Sequence, residues 1–446
     1  VSDGHHNPYK KLLKTFYIET YGCQMNVSDS EAIVGILSSA GYIEVVAPEE
    51  ADLIIVNTCA VRDSAVSKVK AQICRFKPLR NRKKIKIALA GCLAEHEKDT
   101  LLKELPIDYV IGPDHYRFLS ELDSGSVIHV DIDSEESGFY SSFTPVRKKG
   151  VNGWVQVMRG CDNFCSYCVV PYVRGRERSK PANEVYKEVE KIVAEGYKEI
   201  TLLGQNVNSY VDGDLRFHDL LRKLDTIKGL ERIMFMTSHP KDLSDDLISC
   251  FGDLRTLCEY LHLPVQSGSD TILAAMNRGY TSEQYLRLIE KIRKKVPDIA
   301  LSTDILCGFP GESDEDHSQT VKLVSEVGFD AAFMFIYSKR KGTKAAELGN
   351  QIERNVKVAR LDEIIKMQMI ITKAKNSACI GNIEEVLAES ISPRDATKIT
   401  ARTRTFKNVI LKGTISDVGK LFKIRVTGSM GWALEGERIG ENNICG

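Results

Sequence analysis

The 446-residue chain reads as an α/β protein in three parts: an open α/β domain, a partial (β/α)6 TIM-like barrel and a small all-β barrel. Three observations predict this. Between residues 15 and 116 short apolar runs alternate with helical stretches, the pattern of an open sheet with helical crossovers. From 154 to 343 a strand-then-helix unit repeats six times, enough to curl a parallel sheet into part of a barrel. From about 377 to 437 five short strand candidates follow one another with Gly-rich turns between them, which fits a small barrel of the kind that often binds oligonucleotides. The boundaries expected from these patterns are 1–133, a linker at 134–150, 151–376 and 377–446.

Three strand candidates of the first part, 16–21, 53–56 and 85–90, end alike. They lead into Gly22-Cys23, Asn57-Thr58-Cys59 and Gly91-Cys92. Each cysteine then sits at the carboxyl end of a strand, where open α/β sheets gather their ligands. A single such cysteine packs as a small hydrophobe. Three in one local context predict a soft-ligand site, and iron–sulfur clusters prefer thiolates. Cys74, Cys250, Cys258, Cys307, Cys379 and Cys445 lack this context and read as structural. Residues 134–150 are polar, with Pro145 and Arg147-Lys148-Lys149, and read as a linker.

Strand candidates of the second part are 155–158, 199–203, 232–237, 260–264, 300–306 and 331–337. A helix between the first two carries Val185, Val189, Ile192 and Val193 and stops at Gly196. A later one opens with Thr281 and Gln284 at capping-box spacing and carries Leu286, Ile289 and Ile292. Residues 350–375 read as one long charged connecting helix. The last part offers strands at 385–389, 398–403, 408–412, 421–426 and 432–435.

Directly after the first barrel strand comes Arg159-Gly160-Cys161-Asp162-Asn163-Phe164-Cys165-Ser166-Tyr167-Cys168. This CxxxCxxC array supplies three thiolates from one short loop. A cubane cluster has four irons, so three thiolates leave one iron open to an outside group. A zinc knuckle would need a fourth Cys or His at short spacing, and none follows within the next dozen residues. Chemistry in such barrels gathers at the carboxyl ends of strands. The polar residues expected there are Gln205, Asn206, Ser238, Gln266, Ser267, Ser302 and Asp304, with Tyr167 as an aromatic wall. Gly308-Phe309-Pro310-Gly311-Glu312 either brings backbone close to a cofactor or makes a tight turn.

Composition excludes several classes. Formal net charge is zero, so nucleic-acid contact must use local basic patches. Twelve cysteines in a chain of this length, with no apolar signal region in residues 1–11 and no run near a membrane span, predict reduced or metal-bound thiols in the cytoplasm. Candidate RNA patches are Arg174, Arg176 and Arg178 past the cluster loop, Lys339, Arg340, Lys341 and Lys344 after the sixth strand, and Arg402, Arg404, Phe406 and Lys407 in the last part.

The order of the three regions, the two cysteine triads and the terminal barrel resemble the methylthiotransferase family of radical S-adenosylmethionine (SAM) enzymes. The likeness covers nearly the whole chain. The motifs Tyr21-Gly22-Cys23-Gln24-Met25-Asn26, 159–165, 170–179, 203–210 and 401–405 are most similar to the members that modify isopentenyladenosine beside the anticodon of tRNA. Members acting on threonylcarbamoyladenosine or on a ribosomal protein differ after the first cysteine and around the central loop.

The resemblance implies an auxiliary-cluster domain, a radical SAM partial barrel and a TRAM RNA-binding barrel. It implies a 4Fe–4S cluster on Cys161, Cys165 and Cys168 that binds and cleaves SAM. It implies a second, sulfur-donating 4Fe–4S cluster on Cys23, Cys59 and Cys92. Two SAM molecules are then used per turnover, for adenine C2–H abstraction with sulfur insertion and for methyl transfer. A tRNA substrate, a flavodoxin- or ferredoxin-type electron donor, a sulfur or cluster carrier and a monomeric state are implied as well. The competing reading is a non-catalytic iron–sulfur or zinc RNA-binding protein, which leaves the missing fourth ligand unexplained.

Overall fold

The computed structural model describes residues 14–59, 63–83, 85–96, 98–124, 145–147 and 150–440. Cys445, residues 1–11 and most of the expected linker lie outside the described residues. The chain forms two compact units, Val1–Lys148 with Tyr172–Gly175, and Lys149–Pro171 with Arg176–Gly446.

In the first unit five parallel strands lie in the order Ile43–Glu44, Thr15–Tyr21, Leu53–Thr58, Lys86–Gly91, Tyr109–Ile111. All six residues of Leu53–Thr58 are buried, as a central parallel strand covered on both faces requires. Alternate residues point to opposite sides. Phe16 and Ile55 pack with Ile33, Ile36 and Leu37 of helix Gln24–Ser39. Ile54 and Val56 pack with Val69, Ile73 and Phe76 of helix Asp63–Lys83. Tyr21 pairs with Thr58 and Thr58 with Gly91, so three neighbouring strands finish level.

The second unit begins with six parallel strands in chain order. Asn152–Gln156, Glu199–Leu203 and Arg232–Phe235 form one sheet, and Tyr260–His262, Ala300–Cys307 and Ala331–Ile336 another. A bridge between Ile233 and Leu257 links them into one arc. Helix Ala182–Ala194 buries Val185, Val189 and Ile192 as the periodicity predicts. Thr281 and Gln284 do form the reciprocal cap of helix Ser282–Lys295, with N–H to side-chain oxygen distances of 2.9 and 3.2 Å. The buried stripe there is Tyr285, Ile289 and Ile292. Leu286 is only partly buried, because the larger ring of Tyr285 occupies the inward position.

The expected connecting helix, Arg354–Ala378, is itself part of the barrel wall. Ile364 joins the barrel core, Gln368 donates to the Phe329 carbonyl at 2.8 Å and Thr372 to that of Asp330 at 3.0 Å. The small domain is a closed five-stranded barrel, Ile383–Ser392, Asp395–Thr403, Asn408–Lys412, Ala433–Arg438 and Leu421–Ser429 in spatial order. Its core is Val386, Ala388, Ile399, Ala401, Val409, Leu411, Ile424, Val426 and Leu434.

The packing of this small barrel shows where the basic residues expected at RNA make their contacts within the protein. Arg404 makes a two-pronged ion pair with Glu259, both at 2.8 Å, and donates to the Leu257 carbonyl. Lys407 pairs with Asp330 at 2.8 Å, and Phe406 stacks on Tyr260 with ring centroids 4.5 Å apart. Arg402 pairs with Glu389 and lies over the Phe406 ring at 4.3 Å. Arg404, Phe406 and Lys407 thus fasten the small barrel to the (β/α) arc, and Arg402 is held by Glu389 and Phe406 of the barrel itself. Sequence separation of 145 residues between Arg404 and Glu259 hides the partner from any local pattern.

Candidate functional site

The first cysteine triad is assembled by register. Cys59 and Cys92 each follow directly on paired strand ends, and Cys23 lies two residues beyond Tyr21 at the start of helix Gln24–Ser39. Neighbouring strands lie about 4.8 Å apart, so level ends bring the thiols together. Glycine is required beside them. Gly22 has φ +143° and a Cβ there would lie 2.8 Å from Cys59 Cβ. Gly91 has φ +97° and its Cβ would lie 2.3 Å from the Thr58 carbonyl oxygen.

Polar groups under the triad are buried and paired. Asn26 accepts from the Cys23 N–H at 3.3 Å and from its thiol at 3.4 Å. Asn57 donates to the Asn26 carbonyl and to Ser30 Oγ, both at 2.9 Å. A hydrogen bond from Cys59 is the largest influence on the Cys23 thiol, and with help from Asn26 and Arg174 it lowers that group to about 6 against the cost of burial. Burial raises Cys92, opposed by Arg174. Arg174, expected at an RNA phosphate, is 3% exposed. Its Nη2 meets Asp29 at 2.7 Å and its Nε meets Cys92 Sγ at 3.1 Å. That is a correction, since a guanidinium so placed serves the thiols.

The second triad sits on one loop at the mouth of the arc. The loop is clamped from four directions. Gly160 N–H donates to Gln205 Oε1 at 2.6 Å. Asn277 Nδ2 donates to the carbonyls of Asn163 and Phe164 at 3.1 Å. Ser166 bonds the Ala275 and Met276 carbonyls, and the Ala345 N–H donates to Ser166. Arg278, buried, donates to Cys165 Sγ at 3.4 Å and to the Pro264 carbonyl at 2.8 Å. Burial pushes the Cys161 thiol up to about 11 and Cys168 to about 12, so metal binding there must release protons. Among the described residues no three His, Cys, Asp or Glu side chains sit close enough for a single metal ion. A four-iron cubane spreads its ligands over a larger body than one ion.

The expected cofactor contacts divide. Asn206 Oδ1 and Ser238 Oγ are buried with no hydrogen-bond partner, and so is His239 Nε2. His239 Nδ1 accepts from the Lys241 N–H, which puts the ring proton on Nε2. Burial, with Arg278 and Lys241 nearby, lowers this histidine to about 2 and keeps it neutral. Three unused polar atoms at strand ends need an explanation, and a polar ligand at the mouth supplies one.

Three of the other positions carry hydrogen bonds within the protein. Gln205 holds the loop. Ser267 bonds Thr320 Oγ1 and the Ser269 N–H, while Ser302 bonds Tyr260 at 2.7 Å and His262 at 2.9 Å. Gln266 is buried with φ +70°, and Asp304 lies 3.6 Å from His262 Nε2. Tyr167 is half-buried against Ile272, Met276, Phe309, Tyr337 and Ala345. Residues 308–312 make a tight turn. The Gly308 N–H donates to Glu312, and a Cβ at Gly308 would meet Lys357 Cγ at 2.3 Å.

Of the remaining basic residues, Arg176 is exposed, pairs with Asp162 at 2.7 Å and lies over Phe164. Arg178 and Arg340 are half-buried, and Lys339, Lys341 and Lys344 are exposed. Sequence reading missed Asp29, His239, Asn277 and Arg278. His239 carried a weak signal as the polar neighbour of Ser238 at a strand end. The others had none.

Comparison with known proteins bears on this arrangement. Residues 15–112 match the model of Uncharacterized protein family UPF0004, and residues 155–324 match that of the Radical SAM superfamily. The tRNA-2-methylthio-N(6)-dimethylallyladenosine synthase of Carboxydothermus hydrogenoformans is 46% identical over 95% of this chain and 99% of its own. The chain belongs to that synthase family. The synthase of Thermodesulfovibrio yellowstonii is 44% identical over 96% of this chain and 99% of its own. Among solved structures, the radical SAM methyltransferase TsrM of Kitasatospora setae with cobalamin and a [4Fe–4S] cluster bound gives a TM-score of 0.57. It is 13% identical and covers 75% of this chain and 74% of that one. The radical SAM enzyme OxsB gives 0.51 at 11% identity over 80% of this chain and 56% of its own. At such identities the likeness speaks for the fold alone. Membership of the synthase family makes the chain a transferase of the radical SAM class with iron–sulfur and SAM cofactors. Both triads fit a cubane: each offers soft sulfur only, three atoms, beside a buried guanidinium.

Proposed function

We infer that the chain converts dimethylallyladenosine in tRNA to its 2-methylthio derivative. The observation that carries this is the pair of separate three-thiol sites, one on level sheet ends and one at the mouth of a parallel arc. Loaded with two 4Fe–4S clusters and SAM, such sites supply the one-electron chemistry, the sulfur and the methyl group needed at an adenine C2–H bond. In this reading Cys161, Cys165 and Cys168 hold the SAM-binding cluster, and Cys23, Cys59 and Cys92 the sulfur donor.

The protein's share is placement. Arg278, Asn277 and Gln205 fix the loop, so its three thiols would hold a cluster in one place. His239 Nε2–H is a donor, Asn206 Oδ1 an acceptor and Ser238 Oγ either, which matches the carboxylate and ribose hydroxyls of SAM. The adenine C2–H bond carries no acidic proton, and a neutral His239 is suited to hold SAM and not to abstract that hydrogen. The full-length relatives named for dimethylallyladenosine favour this substrate over threonylcarbamoyladenosine or a protein side chain. Mass spectrometry of bulk tRNA from a strain lacking the gene tests it: the 2-methylthio derivative should vanish while its unthiolated precursor accumulates. Unaltered levels refute the substrate.

RNA contact in this reading falls to Arg176 and to the exposed lysines after the sixth strand. Each phosphate contact contributes about 0.7 to 0.9 to the slope of log affinity against log salt. Lys339→Glu with Lys344→Glu should therefore weaken tRNA binding and flatten that slope by about 1.5. A slope equal to wild type removes this patch from the interface. A flavodoxin- or ferredoxin-type donor, a sulfur or cluster carrier, a monomeric state and a cytoplasmic location complete the proposal. No helix among the described residues is long and apolar enough to cross a membrane.

A further inference from the structure

Arg174 and Asp29 are placed as no RNA clamp or ordinary ion pair would be. Asp29 is fully buried and Arg174 nearly so. A guanidinium facing a lone carboxylate usually offers it two parallel N–H groups. Here the fork is divided. Nη2 goes to Asp29 Oδ2 at 2.7 Å, and Nε goes to Cys92 Sγ at 3.1 Å. Asp29 Oδ2 is also reached by the hydroxyl of buried Tyr116 at 3.4 Å. Three polar groups in a row thus hold one N–H on a cysteine sulfur.

Removing an arginine from water costs several kcal/mol, and one carboxylate offsets that only in part. A further partner of Arg174, besides Asp29, is the sulfur of a residue in the first triad. N–H donors to ligand sulfurs withdraw electron density from a cluster and raise its reduction potential. Second-shell partners of this kind also orient the ligand and strengthen metal retention. Arg278 makes the corresponding contact to Cys165 in the other triad, at 3.4 Å.

We propose that Arg174, oriented by Asp29, is a positioning residue of the first cysteine site: it fixes Cys92 as a ligand and sets the potential of the cluster held there. This rests on the assignment of a cluster to Cys23, Cys59 and Cys92. The test uses the full chain with Cys161, Cys165 and Cys168 all changed to Ala, so that only the first triad can load. Anaerobic reconstitution with ferrous iron and sulfide is followed by iron counting and by a redox titration monitored by electron paramagnetic resonance. The parent should hold about four irons, one cubane. Arg174→Met should hold less than half as many, and the cluster that remains should titrate at lower potential. Asp29→Asn should shift both readouts the same way by less. Arg174→Lys keeps the charge but not the divided fork, and its midpoint should fall between those of parent and Arg174→Met. Circular dichroism identifies any variant that fails to fold. If Arg174→Met, or a folded Arg174→Lys where the Met variant does not fold, matches the parent in iron and midpoint, the assignment is overturned. A parent that binds no iron overturns the cluster reading itself.

Discussion

Changing any one of Cys161, Cys165 or Cys168 to Ala is expected to reduce formation of 5′-deoxyadenosine from SAM by at least about a thousandfold under anaerobic reducing conditions. That corresponds to a loss of about 4 kcal/mol in transition-state stabilisation. The loop between Arg159 and Cys168 contains three cysteines and no histidine. The matching change at Cys23, Cys59 or Cys92 should leave SAM cleavage running while methylthiolated tRNA falls below detection. The two outcomes separate a site that initiates chemistry from one that donates sulfur. Thiolation at wild-type turnover by a first-triad variant would sink the division of labour. Full SAM cleavage by a central-loop variant would sink the whole reading.

Arg232→Ala should destabilise the second unit by about 3–5 kcal/mol, the range for leaving a buried charge without its partner. A unit of this size should then melt on the order of 10 °C lower. Arg232 has no exposed surface. It bonds Glu385 at 2.9 Å and the Arg402 carbonyl at 2.8 Å, and lies 3.7 Å from Glu199. It therefore joins a strand of the arc to the first two strands of the small barrel. Burial pushes Glu199 up to about 7 despite Arg232.

The sign of the pH dependence follows from that shift. Below about 4.5 Glu199 is protonated in both states and costs nothing. As pH rises from about 4.5 the unfolded carboxyl ionises while the folded one stays protonated, so stability falls until about 7 and the full penalty stands above that value. Without Arg232 the penalty grows, and the melting-temperature difference from wild type should be larger at pH 8 than at pH 5. A difference that does not change with pH would show that Arg232 acts through packing and not through charge.

These predictions rest on features of unequal visibility in the chain. The three central cysteines lie within eight residues, 161–168, so their proximity was plain from the sequence. The first triad spans residues 23–92, yet it too was legible, because each cysteine follows an apolar run and parallel strands align their ends. The five strands of the small barrel were expected within a few residues of their observed limits. The helix 354–378 was recognised, but its place in the barrel wall was not, since its contacts reach back to Phe329 and Asp330.

What the amino-acid order determined by itself was everything carried by short-range periodicity: the α/β class, the six-fold unit, the terminal barrel and both thiol triads. Only the tertiary structure decided how the charged side chains are spent. Arg174, Arg404 and Lys407 look alike as basic residues near a site, but one serves a thiol and the other two bind the small barrel to the arc. Arg278 acquires its role from Cys165 and Pro264, far from it in sequence, and His239 is held neutral by burial. The physical reason is that periodicity reports which face of an element is buried, whereas a charge takes its meaning from whichever opposite charge folding brings within about 4 Å.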